Sequence, residues 1–146
     1  MLSEKWISYF KTKMLQAAEN SKDENTKVGA VIFSEDDKVE ISSSWNDLPR
    51  GVIHFPERNQ RPLKYKFTTH AEANCICNAA RMGRCTKGYS LMVSMFPCTI
   101  CAGLIINSGI KKVYCPKPDY LHIQYGDDFA ISLQMFKEAE VEVIEI

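Results

Sequence analysis

His70-Ala71-Glu72 and Pro97-Cys98-Thr99-Ile100-Cys101 are two short stretches that read as one site, the second beginning to supply its cysteines 28 residues after the histidine. One neutral imidazole and two thiolates form a three-ligand set for tetrahedral zinc. A structural zinc site would complete its shell with another Cys or His close to one of these pairs, and none has that spacing here. Three protein ligands leave a fourth position for water, the arrangement of a catalytic zinc. Glu72, two residues after His70, is within reach of that water. Each residue alone has a plainer explanation: a histidine capping a helix, a Cys-x-x-Cys redox pair or half zinc knuckle, a solvated glutamate. Only their combination, at the starts of two helices, points to catalysis.

Working outward, Trp6, Ile7, Phe10, Met14, Ala17 and Ala18 recur at helical spacing, which predicts an amphipathic helix from residue 4 to about 19. Val28 to Phe33 and Val39 to Ser43 are β-rich and flank a polar turn, so they read as an antiparallel hairpin. Residues 44 to 67 have little periodicity, and a loop of that length is generally functional. A second helix begins near His70 and stops at Gly83, and Tyr89 to Ser94 is a third strand. Pro97 opens a third helix that ends at Ser108-Gly109. Lys112 to Cys115 is a fourth strand, Asp127 or Asp128 caps a fourth helix through Ala139, and Val141 to Ile144 is a fifth strand. A helix between the last two strands makes them parallel. The expected architecture is a three-layer α/β/α domain over residues 1–146, with a mixed five-stranded sheet whose strands 4 and 5 are parallel. Both halves of the motif then sit at helix N-termini, where unpaired N–H groups and the positive dipole end favour thiolate and other anionic groups.

At 146 residues and 45% hydrophobic, the chain has the size of one domain with a real core. Eighteen Lys plus Arg balance eighteen Asp plus Glu, so no global basic field draws it to a polynucleotide. No signal peptide and no apolar run of membrane-spanning length is present, and the expectation is a cytoplasmic protein with no membrane partner. Cys75, Cys77, Cys85 and Cys115, outside the motif, are expected to be reduced and mostly buried. A second metal site from Cys75, Cys77 and Cys85 is disfavoured, because Cys75 and Cys77 lie about 200° apart around a helix.

The H-x-E and P-C-x-x-C pair is the signature of the zinc-dependent nucleobase deaminases. Ser21-Lys22-Asp23, Thr26 to Val31, Pro49-Arg50-Gly51, His70 to Asn74, Phe96-Pro97-Cys98 and Leu104 to Lys111 extend the likeness. In that order these blocks resemble the deoxycytidylate (dCMP) deaminases of the cytidine deaminase superfamily. The resemblance implies hydrolysis of dCMP to dUMP with loss of ammonia, feeding thymidylate synthesis; the compact single domain would suit a bacterial or virus-infected host cytosol. It implies a homo-oligomer, a hexamer or smaller, with dCTP activating and dTTP inhibiting together with Mg2+. It makes His70, Cys98 and Cys101 ligands of one Zn2+ and Glu72 the proton shuttle between water, ring nitrogen and departing amine. Asn46 would touch the nucleoside, the N–H of Ala71 and the carbonyl near Phe96 and Pro97 would hold the pyrimidine edge, and Tyr120 would supply an aromatic wall. For the phosphate the chain offers seven loop cations, Lys22, Lys27, Arg50, Arg58, Arg61, Lys64 and Lys66. The family pattern favours the Ser21-Lys22 turn, followed by Arg50 and Arg58.

One segment departs from the family. Ser44-Trp45-Asn46-Asp47 stands where Gly-Tyr-Asn-Gly is expected, losing two glycines that let backbone approach a ligand and adding a carboxylate that repels triphosphate. Altered dCTP and dTTP control is the expectation. The alternatives are a deaminase of dCTP or 5-substituted dCMP, a guanine, riboflavin-pathway or free-cytidine deaminase, a tRNA or DNA base editor, and a zinc-stabilised binding module without catalysis. Balanced charge counts against the editor. The intact Glu72 counts against the inert module, since neither folding nor metal binding needs it.

Overall fold

The computed structural model describes residues 1–146. Its elements in chain order are α1 (Glu4–Ala18), β1 (Gly29–Ser34), β2 (Val39–Trp45), a 3-10 turn (Pro56–Asn59), α2 (Lys64–Phe67), α3 (Ala71–Arg81), β3 (Ser90–Val93), α4 (Thr99–Asn107), β4 (Lys112–Cys115), α5 (Gly126–Glu138) and β5 (Glu142–Glu145). The sheet runs β2-β1-β3-β4-β5. β1 is antiparallel to both β2 and β3, whereas β3, β4 and β5 are mutually parallel. The mixed five-stranded sheet is the expected one, and each parallel step is made through a helix, as parallel strands require.

Alternation along the central strands explains the layers. Ala30, Ile32, Leu91, Val93, Val113 and Cys115 face one side, against Ala71 and Cys75 of α3, Ala102 and Ile105 of α4, and Phe129 and Phe136 of α5. Val31, Phe33, Met92 and Tyr114 face the other, against Phe10 and Met14 of α1. Phe10 stacks on Phe33 with ring centroids 4.0 Å apart. Because both faces are covered, all of β1 and β3 is buried and reads as continuous apolar runs. α1 presses so closely on β1 that a Cβ on Gly29 would stand 2.0 Å from the Met14 carbonyl oxygen.

Four local expectations are corrected. Pro97 does not open the third helix: Cys98 is its N-cap in extended conformation, and α4 starts at Thr99. Asp127 and Asp128 do not cap α5 but lie in its first turn, where their charge suits the dipole, and Tyr125 is the N-cap. Residues 44–67 are not all loop, since they finish β2 and contain the 3-10 turn and α2. Of the four cysteines outside the motif, Cys75 and Cys115 are buried but Cys77 and Cys85 are exposed. No helix is long and apolar enough to cross a membrane.

Candidate metal centre and substrate cavity

The two motif halves meet across the core. His70 is the N-cap of α3 and Cys98 that of α4, and neither side chain caps its own helix. Both are therefore free to turn toward each other. His70 Nδ1 lies 3.5 Å from Cys98 Sγ and 3.5 Å from Cys101 Sγ. The three ligand atoms fall within 4.8 Å of one another, and no fourth Cys, His or carboxylate joins them. A tetrahedral ion with Zn–N and Zn–S bonds of about 2.05 and 2.3 Å separates nitrogen from sulfur by about 3.6 Å. The spacing and the donor chemistry therefore both fit zinc.

Tyr125 completes the arrangement from the start of α5. Its hydroxyl is 3.2 Å from His70 Nε2, and its ring stands edge-on to the imidazole. With Nδ1 turned to the sulfurs, the ring proton belongs on Nε2 and is donated to Tyr125, the outer hydrogen bond that fixes a metal-ligating histidine. Burial, then the nearby Cys98, pushes the Tyr125 phenol up to about 12, so it stays protonated. The Cys98 thiol is drawn down, first by its hydrogen bond with Cys101 and then by His70, while Cys101 is raised. One thiolate is thus favoured even before a cation enters. Glu72 is 4% exposed, and burial, opposed by His70, pushes its carboxyl up to about 7. A carboxyl poised there can both take and give a proton near neutrality.

A cavity of roughly 660 Å³, part of it open to solvent, lies over this centre. Its wall includes His70, Ala71, Glu72, Cys98 and Phe96, and the sequence of residues 4–117 matches the family model described as the cytidine and deoxycytidylate deaminase zinc-binding region. The chain belongs to this deaminase family. Over 141 residues it is 38% identical to an uncharacterised deaminase encoded in the luxG 3′ region of Aliivibrio fischeri, covering 95% of this chain and 92% of that one. It is also 38% identical over 114 residues to the Homo sapiens deoxycytidylate deaminase, covering 74% of this chain but spanning only 62% of the human one. The dCMP deaminase of cyanophage S-TIM5, solved in complex with dCMP and dUMP, has the same fold, with TM-score 0.80, 21% identity and full coverage of both chains.

Of the other residues singled out in this deaminase's sequence, Asn46, Ala71 and Phe96 line the cavity and Pro97 is buried beside it. Ala71 N–H, the first of α3, has no partner within the chain, as helix starts allow. Asn46 is largely committed: its Nδ2 donates to the Thr26 carbonyl and its Oδ1 accepts from Val28 N–H, both at 2.9 Å. Tyr120 is 48% exposed and off the wall; Tyr125, five residues on, lines the cavity instead, with His122 stacked against it.

None of the expected phosphate contacts is among the residues that line the cavity. Ser21 Oγ donates to the Asn46 carbonyl and is buried away from the cavity, while Lys22 is exposed outside it. Arg50 donates to Asn78 Oδ1, and Arg58 lies over the rings of Phe55 and Phe67. What the turn after α1 contributes to the wall is Asp23, together with Thr26 and Val28, and the 44–67 segment contributes Arg61, Lys64 and Tyr65. Lys64 is buried and bonded to Asp23 at 2.9 Å, an ion pair between residues 41 apart in sequence. Helical periodicity could not show this, because α2 is a single turn. Only the density of Arg and Lys in the segment marked it.

Proposed function

We propose that this chain hydrolyses dCMP to dUMP and ammonia, with Zn2+ held by His70, Cys98 and Cys101 and with Glu72 moving the protons. The observation that carries the reading is the convergence of one imidazole nitrogen and two sulfurs within 4.8 Å, with no fourth protein donor, beside a buried carboxyl on the cavity wall. When bound, zinc supplies Lewis acidity that makes water a nucleophile at neutral pH. Glu72 takes the proton that water sheds as its oxygen attacks C4 of cytosine, and delivers it to ring N3. A second proton passes through the same carboxyl to the amino group, which leaves as ammonia when the C4–N bond breaks and the C4 carbonyl forms. The unpaired Ala71 N–H is free to hold the pyrimidine edge. The Tyr125 hydroxyl keeps His70 in the orientation that the ligand set needs.

The choice of dCMP rests on relatives named as deoxycytidylate deaminases that are 38% identical over 114 residues. Incubating the protein with dCMP, dCTP, CMP, deoxycytidine and a 5-substituted dCMP while following ammonia tests it. Preferential release from dCMP is expected, and reaction of the nucleoside or triphosphate alone would overturn the monophosphate assignment. The proposal includes one deaminase unit formed by residues 1–146 and a homo-oligomer, for which exposed Ile100 and Leu104 of α4 offer apolar surface. It also includes an altered response to dCTP and dTTP with Mg2+. Asp47 holds its carboxylate by accepting from Leu48 N–H and Trp45 Nε1–H, which fixes a negative charge where the family has glycine. Sigmoidal kinetics made hyperbolic by dCTP would count against that last element.

A further inference from the structure

The cavity wall carries two side chains with a permanent positive charge, Arg61 and Lys64. Lys64 is already spent. Its ammonium is 2.9 Å from Asp23 Oδ2, and both side chains are 7% exposed. Pulling Lys64 onto a ligand would strand a buried carboxylate, and an anionic ligand brought up to the pair would meet Asp23 as well. Apart from His70, which faces the two sulfurs, His122 is the remaining basic group on the wall. Its Nδ1 accepts from the N–H groups of Gln124 and Tyr125, which uses its lone pair and leaves only an Nε2–H to offer.

Arg61 differs from both. It is exposed at the rim of the cavity and makes no ion pair or hydrogen bond within the chain. Its neighbours explain why it stays there. Lys64 N–H donates to the Gln60 carbonyl and Tyr65 N–H to the Pro62 carbonyl, so the turn carrying Arg61 is closed by its own backbone and moored to the body of the protein through Lys64 and Asp23. Thr68 also belongs to the wall, and its Oγ1 is buried without a partner. A guanidinium with all its donors free, at the open side of a cavity whose floor holds the reactive groups, suits a dianionic oxygen cluster at the end of the substrate remote from the base.

We infer that Arg61 is the residue by which this site distinguishes a nucleoside monophosphate from the bare nucleoside, with Lys64 and Asp23 positioning its turn rather than touching the phosphate. The inference rests on the dCMP reading above. Arg61→Gln, Arg61→Lys and the parent protein are to be compared in zinc-loaded form with dCMP and deoxycytidine. A charge-assisted, forked contact makes the glutamine variant lose about ten- to hundredfold in kcat/KM for dCMP, with deoxycytidine unchanged and the lysine variant between. An equal loss on both substrates, or an undiminished preference for dCMP in Arg61→Gln, overturns the inference and leaves the dCMP reading standing. A parent protein without preference for dCMP overturns both. Arg61 is exposed and unpaired, so loss of fold is not expected to cloud the comparison.

Discussion

Replacing Lys64 by Met breaks the pair that ties α2 to the turn after α1. Asp23 would keep its two hydrogen bonds from the N–H groups of Asn25 and Thr26, at 2.9 and 3.1 Å, but would remain buried without a counter-charge. Removing one member of a buried pair costs about 3–5 kcal/mol, and the surviving bonds put this case near the lower end, about 3 kcal/mol. In urea, with a slope of about 2 kcal/mol/M, the midpoint should fall by about 1.5 M at neutral pH with zinc in excess. Adding Asp23→Asn, which keeps the turn but removes the stranded charge, should recover most of that loss. The difference between parent and Lys64→Met should also depend on pH with a definite sign. Burial raises the Asp23 carboxyl, but Lys64 and the two N–H groups outweigh it and hold the group below its ordinary 3.8. Its stabilisation is thus full above 3.8 and is lost as pH falls through the lower folded value, so the gap should close there. A midpoint change no larger than that of Lys66→Met, an exposed lysine two residues on, would show that the pair is effectively solvated and refute the reasoning.

Glu72→Gln should lower kcat by at least about 10²–10⁴-fold while zinc stays near one per chain by metal analysis; retained turnover would remove the proton-carrying role. Tyr125→Phe deletes the acceptor for His70 Nε2 and should weaken zinc by about 10–100-fold in a chelator competition, with unchanged affinity speaking against the outer-shell contact. Gly29→Ala sets a methyl 2.0 Å from the Met14 carbonyl oxygen and 2.8 Å from the Ala18 nitrogen, so α1 must shift. A loss of more than about 3 kcal/mol is expected by thermal or urea unfolding, and a neutral change would mean that α1 rides loosely on the sheet.

The sheet and its long helices were legible because period and punctuation agree. Trp6 to Ala18 repeat with the period of a helix, β4 falls at the predicted Lys112 to Cys115, and Gly83 and Gly109 follow helix ends with φ of 68° and 80°. The metal centre was legible because its spacing encodes the meeting of two helix starts. The rest depended on contacts that cross the chain. α2 has one turn and no periodicity, and its Lys64 is buried only because Asp23 waits 41 residues earlier. Tyr125 rather than Tyr120 reaches His70 because the 116–125 stretch turns before α5, with Gly126 N–H donating to the His122 carbonyl. Both tyrosines have the same local character, and nothing in composition separates them. Asn46 matched a ligand-binding position, but its amide mostly serves the Thr26–Val28 backbone.

The helix starts that bring His70 to Cys98 have a mechanical consequence. An ion bound there is a cross-link closing a 28-residue loop that contains all of α3 and β3. Treated like a covalent bridge of that length, it removes chain entropy from the unfolded state worth about 3.6 kcal/mol. The metal then acts as a clasp between α3 and α4 as well as a reagent, so chelation would loosen the fold together with the chemistry, and a variant that keeps the ion but loses Glu72 would remain clasped.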